Sequence, residues 1–345
     1  MTEHVRIGVV GAGTMGALHA ETLAAHPDVR VAHLSSVDID AGRRVAERVG
    51  AVAHSRWEEV VAASDVDAVV VATPDHAHAD AAVAAAEAGK AVLIEKPLAT
   101  STADAARIVR AVRRNGVVAS VLFNHRWIPS YAEARAVIAR GDLGAPVVGY
   151  ARKNDRIYVP TKMLAWAAHT TPAWFLSSHD IDLVTWFFDD RPVQVYATAV
   201  SGTLQAAGID TPDAIQAQVR YAGGAVATFE ACWIYPDTFP SMTDSFIEVI
   251  GTDGVIHLPR VAEQIEVATT KAYEYPRTSL ARIVHGQPAG AVRDCLWHFV
   301  DCVRTGTEPV VTVESAARTT AVLEALHRSL ASNQPEPVAD AVPES

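Results

Sequence analysis

Over the first 123 residues, short apolar runs alternate with alanine-rich stretches, and this alternation narrows the possible folds of the chain more than any other feature. The runs 5–10, 29–37, 68–72, 91–94 and 117–123 suit strands, several of them apolar throughout, as in a parallel sheet buried on both faces. The intervening stretches 14–26, 40–49, 77–88 and 101–115 suit helices. The last of these is well punctuated. Ser101 or Thr102 can cap its start, Asp104 sits in its first turn, Arg110, Arg113 and Arg114 lie near its end, and Gly116 follows. Strands alternating with helices of this length predict a doubly wound parallel sheet.

Beyond about residue 125 the rhythm changes. A helical stretch over 129–140 ends at Gly141-Asp-Leu-Gly144, and strand-like runs then dominate at 147–151, 193–200, 214–221, 225–231, 246–250 and 255–258. Turn signals such as Gly223-Gly224 and Thr252-Asp-Gly254 separate them, which predicts a mostly antiparallel sheet. Helices near 177–188 and 314–331 are expected to pack on one of its faces. The stretch 333–345 carries Pro335, Pro337 and Pro343 without periodicity and is expected to be a disordered tail. A chain of 345 residues suits two domains. The expected fold class is therefore α/β over 1–124, a doubly wound parallel sheet, followed by α+β over 125–332, an open-faced sheet with helices on one side.

Charge removes several classes of function. Lys plus Arg number 29 against 40 Asp plus Glu, a net charge of −11. A nucleic acid or an anionic membrane surface asks for a basic face, so neither is expected as a partner. No apolar run is long enough to span a bilayer. The start of the chain lacks a basic region followed by an apolar one, and the three cysteines show no framework spacing, so a cytoplasmic protein is expected. Only five of the cations are lysines, at positions 90, 96, 153, 162 and 271, so a lysine in a suggestive place carries extra weight.

Gly11-Ala-Gly13-Thr14-Met15-Gly16 follows the first strand and opens the first helix. Alone, this glycine spacing is a loose pattern. Here it has a mechanism: Gly11 permits the tight turn, Gly13 lets a pyrophosphate approach the backbone, and Gly16 allows close helix–strand packing. The helix start then offers unpaired N–H groups to phosphate. Asp38 lies 22 residues beyond Gly16 at the end of the second strand, close to the ~20 expected for an acid that holds ribose hydroxyls. A carboxylate there favours NAD and repels the 2′-phosphate of NADP, with Arg43 or Arg44 the residues through which NADP could enter.

Glu95-Lys96-Pro97 stands at the end of the strand 91–94, where doubly wound folds hold their ligands. With the glycine loop, Thr73-Pro74-Asp75-x-x-His78, Asn124-x-Arg126, Gly141-x-Leu143-Gly144, His179-x-x-Asp182, Gly251-Thr252-x-Gly254 and Arg304-Thr-Gly306-Thr-x-Pro309, it resembles the Gfo/Idh/MocA oxidoreductase family in order along nearly the whole chain. The resemblance implies a Rossmann domain followed by a sheet domain used for oligomer contacts, hence a homodimer or homotetramer. It also implies hydride transfer between NAD(P) and a secondary alcohol of a sugar or cyclitol. It makes Lys96 the catalytic lysine and His179 the histidine at the reacting hydroxyl. Thr73, Pro74 and His78 then flank the cofactor, and Glu95 lies near the nicotinamide ribose. The candidate cofactor contacts are thus Gly11, Gly13, Thr14, Met15, Gly16, Asp38, Thr73, Pro74, His78, Glu95, Lys96 and Asn124. Many members place an aspartate four residues before the histidine, and here that position is Phe175.

His179, whose side chain ordinarily titrates near neutrality, is the expected base, and Lys96 the charged donor. Arg126, Lys153, Tyr158, Trp166, Trp174, Asp182 and Tyr235 join Lys96 and His179 as candidate substrate contacts. Asp155, Asp180 or Asp182 could supply the charge that Phe175 lacks. His76-x-His78 has a metal-like spacing with no accompanying acid or cysteine cluster, so no metal is expected. Two alternatives stand beside the dehydrogenase. One is a glycoside-cleaving enzyme that uses bound NAD transiently, and the other is a non-catalytic dinucleotide-binding sensor.

Overall fold

A computed structural model describes residues 4–342. They form two compact units, the first made of residues 4–127, 280–320 and 340–342, the second of 128–279 and 321–339. The first unit is therefore not a single stretch ending at 124. The segment 280–320 belongs to it, and the reason is a helix over Ala291–Thr305 that periodicity did not single out. Its Cys295, Leu296, Phe299 and Val300 are buried in the same cluster as Ile7, Val9, Leu23, Val31 and Leu93.

The first unit opens with β1 (Val5–Val10), α1 (Thr14–Ala24), β2 (Val29–Ser35), α2 (Ile39–Val49), β3 (Val52–His54) and α3 (Trp57–Ala62). It continues with β4 (Ala68–Val71), α4 (His78–Glu87), β5 (Ala91–Ile94), α5 (Thr102–Asn115) and β6 (Ala119–Val121). The six strands pair in parallel in the order β3-β2-β1-β4-β5-β6. Two elements, β3 and α3, are not visible in the sequence pattern, because three and six residues are too few to show a period. The strand order reverses between β1 and β4, which opens a crevice at their carboxyl ends. Register sharpens this point. Val10 pairs Val71, Val71 pairs Ile94 and Ile94 pairs Val121, so four strands end in one row.

The second unit contains α6 (Pro129–Ala139), β7 (Pro146–Arg156), α7 (Ser178–Phe188), β8 (Pro192–Val200), α8 (Thr203–Ala206) and β9 (Ala214–Tyr221). β10 (Val226–Tyr235), β11 (Thr243–Gly251) and β12 (Val255–Pro259) complete its main strands. The sheet runs β12-β11-β7-β10-β9-β8, and only the β7–β10 pair is parallel. α7 covers one face. It comes close at Gly149, where a Cβ would meet Phe188 and Val184 at 3.1 and 3.2 Å. The last turns of the helix Val313–Ser332 pack on β8, where Ser329 Oγ accepts the Ala197 N–H at 2.9 Å.

The expected tail is ordered as far as it is described. Glu336–Pro337 form a seventh strand beside β8, the Val338 N–H donates to the Val193 carbonyl at 3.0 Å, and Ala341 is buried. The prolines do not prevent this, because an edge strand tolerates a residue without an N–H. Residues 343–345 of that expected tail lie outside the described residues.

Candidate functional site

The shared row of strand ends brings Gly11, Thr73, Glu95 and Asn124, which follow β1, β4, β5 and β6, to one edge of the parallel sheet. Gly11 has φ +97°, and a Cβ there would lie 2.6 Å from the Ala72 carbonyl oxygen. A Cβ on Gly16 would strike the carbonyl oxygen of Gly11. Gly13, at the N-cap of α1, differs: a Cβ there would meet nothing. The protein itself does not need that glycine, so the open space suits a ligand that approaches the backbone. Among the described residues, Thr73 Oγ1 and Asn124 Oδ1 find no hydrogen-bond partner and are buried at the same edge. Cradle and orphaned polar atoms fit a dinucleotide, with its phosphates at the start of α1.

Asp38 is exposed at the N-cap of α2, where its Oδ1 accepts the Asp40 and Ala41 N–H groups at 3.1 and 3.0 Å. The carboxylate thus has a local role as well as the expected one. Arg43 reaches Asp40 at 3.1 Å rather than Asp38. Replacing Asp38 by alanine should therefore cost about 1 kcal/mol of stability through the lost cap. It should also lower the preference for NAD over NADP about tenfold, the worth of a charged hydrogen bond. Denaturation and turnover with both cofactors check the two effects.

Glu95 and Lys96 stand directly beyond β5, Glu95 buried and Lys96 half-buried. Two histidines grip this segment. His19 Nε2 lies 2.7 Å from Glu95 Oε1, while Glu95 Oε2 accepts the Lys96 N–H at 2.9 Å. Burial alone would raise the Glu95 carboxyl, but the His19 hydrogen bond and the neighbouring positive charges hold it below the usual range. His78, on α4, lies 2.8 Å from the Pro97 carbonyl and 3.0 Å from that of Thr73, and so ties the two loops together. Burial pushes its imidazole down, against the pull of the two carbonyls and of the Glu95 and Asp75 charges; with a single proton the ring donates to one of the two carbonyls. His19 is absent from the residues expected at the site. Its only signal in the sequence is a histidine, three residues past Gly16, in an otherwise apolar stretch.

Several expected substrate contacts have other partners. Arg126 is buried and donates to the Val310 carbonyl at 3.2 Å. Lys153, on β7, is fully buried in an ion pair with Asp180 on α7. Burial pushes the Lys153 ammonium down to about 8, against the pull of Asp180, and pushes the Asp180 carboxyl up. Trp174 stacks on His327, their rings 5.0 Å apart and 11° from parallel. The Tyr235 hydroxyl accepts from Asn154 Nδ2 at 3.0 Å, and burial raises its pKa. Asp182 is buried within α7. Tyr158 is exposed, while Trp166 and His179 are half-buried.

His179 is the second residue of α7, which continues from a π-helical run over Ala173–Ser177. Such local widenings are frequent at functional sites. Phe175 sits in that run, its ring 5.7 Å from Trp233 and 6.3 Å from Trp166, against an apolar cluster with Ile157, Leu164 and Leu204. Of the acids that could replace a carboxylate there, Asp180 is committed to Lys153 and Asp155 to the Thr243 hydroxyl. Among the described residues no group of three or more His, Cys, Asp or Glu side chains is placed to hold a metal ion.

Comparison with known proteins agrees with this geometry. Residues 5–123 match the profile described as "Oxidoreductase family, NAD-binding Rossmann fold", and residues 131–257 match the GFO/IDH/MocA C-terminal domain. Inositol 2-dehydrogenase of Rubrobacter xylanophilus is 30% identical over 268 residues, 76% of this chain and 74% of that protein. Inositol 2-dehydrogenase 1 of Saccharopolyspora erythraea is 35% identical over 207 residues, 59% of this chain and 60% of its own length. The crystal structure of GenD2 from gentamicin A biosynthesis, in complex with NAD, superposes with a TM-score of 0.84 at 26% identity, covering 98% of this chain and 97% of that one. With its NAD cradle, its lysine beyond β5 and its second, sheet-based unit, this chain belongs to the GFO/IDH/MocA family of NAD-binding oxidoreductases.

Proposed function

We propose that the chain moves a hydride between NAD(H) and a secondary alcohol, or the matching ketone, of a cyclitol or sugar. The observation that carries this is Lys96, half-buried beyond β5 at the edge that holds the dinucleotide cradle, with its backbone N–H bonded to a buried carboxylate. NAD, when bound, supplies the hydride acceptor at nicotinamide C4. Lys96 donates a hydrogen bond to the substrate oxygen, and its charge stabilises negative charge developing there. His179 takes the hydroxyl proton as the carbon–hydrogen bond breaks, and returns it in the reverse direction. Phe175, packed in an apolar cluster, can neither accept nor donate a proton, so the proposed proton transfer rests on the imidazole rather than on a side chain at 175. The inositol dehydrogenases among its relatives support a cyclitol as substrate.

The second unit supports self-association. Residues along β9 and β10 alternate between buried and more exposed, leaving the sheet face opposite α7 open for another copy. Among the described residues Cys232, Cys295 and Cys302 form no disulfide, in keeping with a reducing cytoplasm. No helix among the described residues is long and apolar enough to cross a membrane.

An absorbance screen with NAD and a panel of inositols and sugars, and with NADH and keto-sugars, tests the proposal. One NADH formed per substrate oxidised is the expected result. Cleavage of a glycoside without net NADH points to transient oxidation instead, and NAD binding with no turnover points to a sensor.

A further inference from the structure

We propose that His19 is a positioning residue for hydride transfer, acting through Glu95 on Lys96; this deepens the role given to Lys96 above. His19 lies on α1 three residues beyond Gly16, fully buried. It meets Glu95, 76 positions away, through one hydrogen bond of 2.7 Å. Its other ring nitrogen, Nδ1, is buried and has no hydrogen-bond partner among the described residues. The polar capacity of this side chain is therefore spent on Glu95 alone.

The direction of that bond follows from the other oxygen. Glu95 Oε2 accepts the Lys96 N–H, and the carboxyl favours its ionised form, so Oε1 is an acceptor and His19 Nε2 carries the proton. A buried carboxylate is costly to ionise without such bonds. His19 therefore does two things at once. It keeps a negative charge fixed within the tripeptide that carries the lysine, and it pins the carboxylate that holds the Lys96 backbone. The tripeptide is gripped on its far side by His78 through the Pro97 carbonyl. A line of direct contacts thus runs from the helix that starts at the phosphate cradle to the catalytic lysine.

Lysine is scarce enough in this chain to read the effect directly. Reductive carbon-13 methylation labels the accessible amines among at most five lysines and the terminal amine, and the Lys96 signal is assigned by its loss in Lys96→Arg. His19→Leu fills the space without the bond, and His19→Gln keeps an N–H donor. In the NAD-bound protein, the Lys96 titration midpoint should fall by about half a unit or more in His19→Leu, because the carboxylate that His19 pins is no longer held in place beside the lysine. Most of that shift should return in His19→Gln. In a Glu95→Gln background His19→Leu should add nothing further, since both changes break one unit. With a substrate from the screen, His19→Leu should lower kcat about tenfold while the KM for NAD moves less than about threefold.

An unmoved Lys96 midpoint in His19→Leu overturns the proposal, as does a His19→Gln variant no better than His19→Leu. If His19→Leu fails to fold, an unmoved midpoint in Glu95→Gln overturns it alone. The titration needs no substrate. A chain that proves inactive on every alcohol tested therefore still reports on the role of His19, independently of whether it is a dehydrogenase.

Discussion

Replacing Lys96 by alanine is expected to lower kcat by about 10³-fold while the Kd for NAD stays within about threefold. The size follows from what the lysine is proposed to supply. As the hydroxyl proton leaves, the electrons of the O–H bond stay on oxygen and then form the carbonyl bond as hydride departs with those of the C–H bond. A positioned cation stabilises the negative charge on that oxygen more in the transition state than in the ground state. The side chain is half-buried, which strengthens the interaction relative to open water. Cofactor affinity should survive because the cradle is built elsewhere, from Gly11, Gly13, Gly16 and the start of α1. Steady-state kinetics and calorimetric NAD binding separate the two effects. A kcat within tenfold of the parent would remove Lys96 from the chemistry.

The second large effect concerns stability rather than turnover. Lys153 and Asp180 are both buried and joined as an ion pair between β7 and α7, the helix that carries His179. Lys153→Met keeps the length of the side chain but leaves a buried carboxylate alone, and is expected to cost about 3 kcal/mol in urea denaturation. The double change Lys153→Met with Asp180→Leu should recover most of that loss, because two apolar groups no longer demand a partner. Equal destabilisation by the double variant would mean that the pair contributes more than its own neutralisation. The pH dependence has a definite sign. Lys153 releases its proton at about 8 in the folded chain and nearer the ordinary lysine value of 10.5 when unfolded, so the unfolded form binds more protons between those values. Its contribution to stability therefore rises with pH across that window. This contribution should disappear in Lys153→Met.

Much of the cofactor half was legible because it depends on local backbone. Gly11 needs a positive φ, Asp38 caps the helix beside it, and Glu95-Lys96-Pro97 follows a strand that is apolar throughout. Each of these is encoded within a few residues. The aromatic substrate candidates fared differently. Trp174 lies against His327 and the Tyr235 hydroxyl accepts from Asn154, because an aromatic ring or a phenol is as useful inside a fold as at a site. The same holds for Lys153, which the scarcity of lysine marks as a candidate and which burial turns into an internal counter-ion.

By itself, then, the sequence determined the parallel sheet, the glycine cradle, the acid at position 38 and the lysine beyond β5, since periodicity and turn chemistry act over short stretches of chain. Only the tertiary structure decided that His19 answers Glu95, that the helix Ala291–Thr305 completes the core of the first unit, and that Lys153 turns inward to Asp180. Those outcomes depend on which strands lie side by side and which side chains lose contact with water. Neither is written in the identity of any one residue: a buried charge or imidazole must find a partner wherever the folded chain brings one within hydrogen-bonding reach.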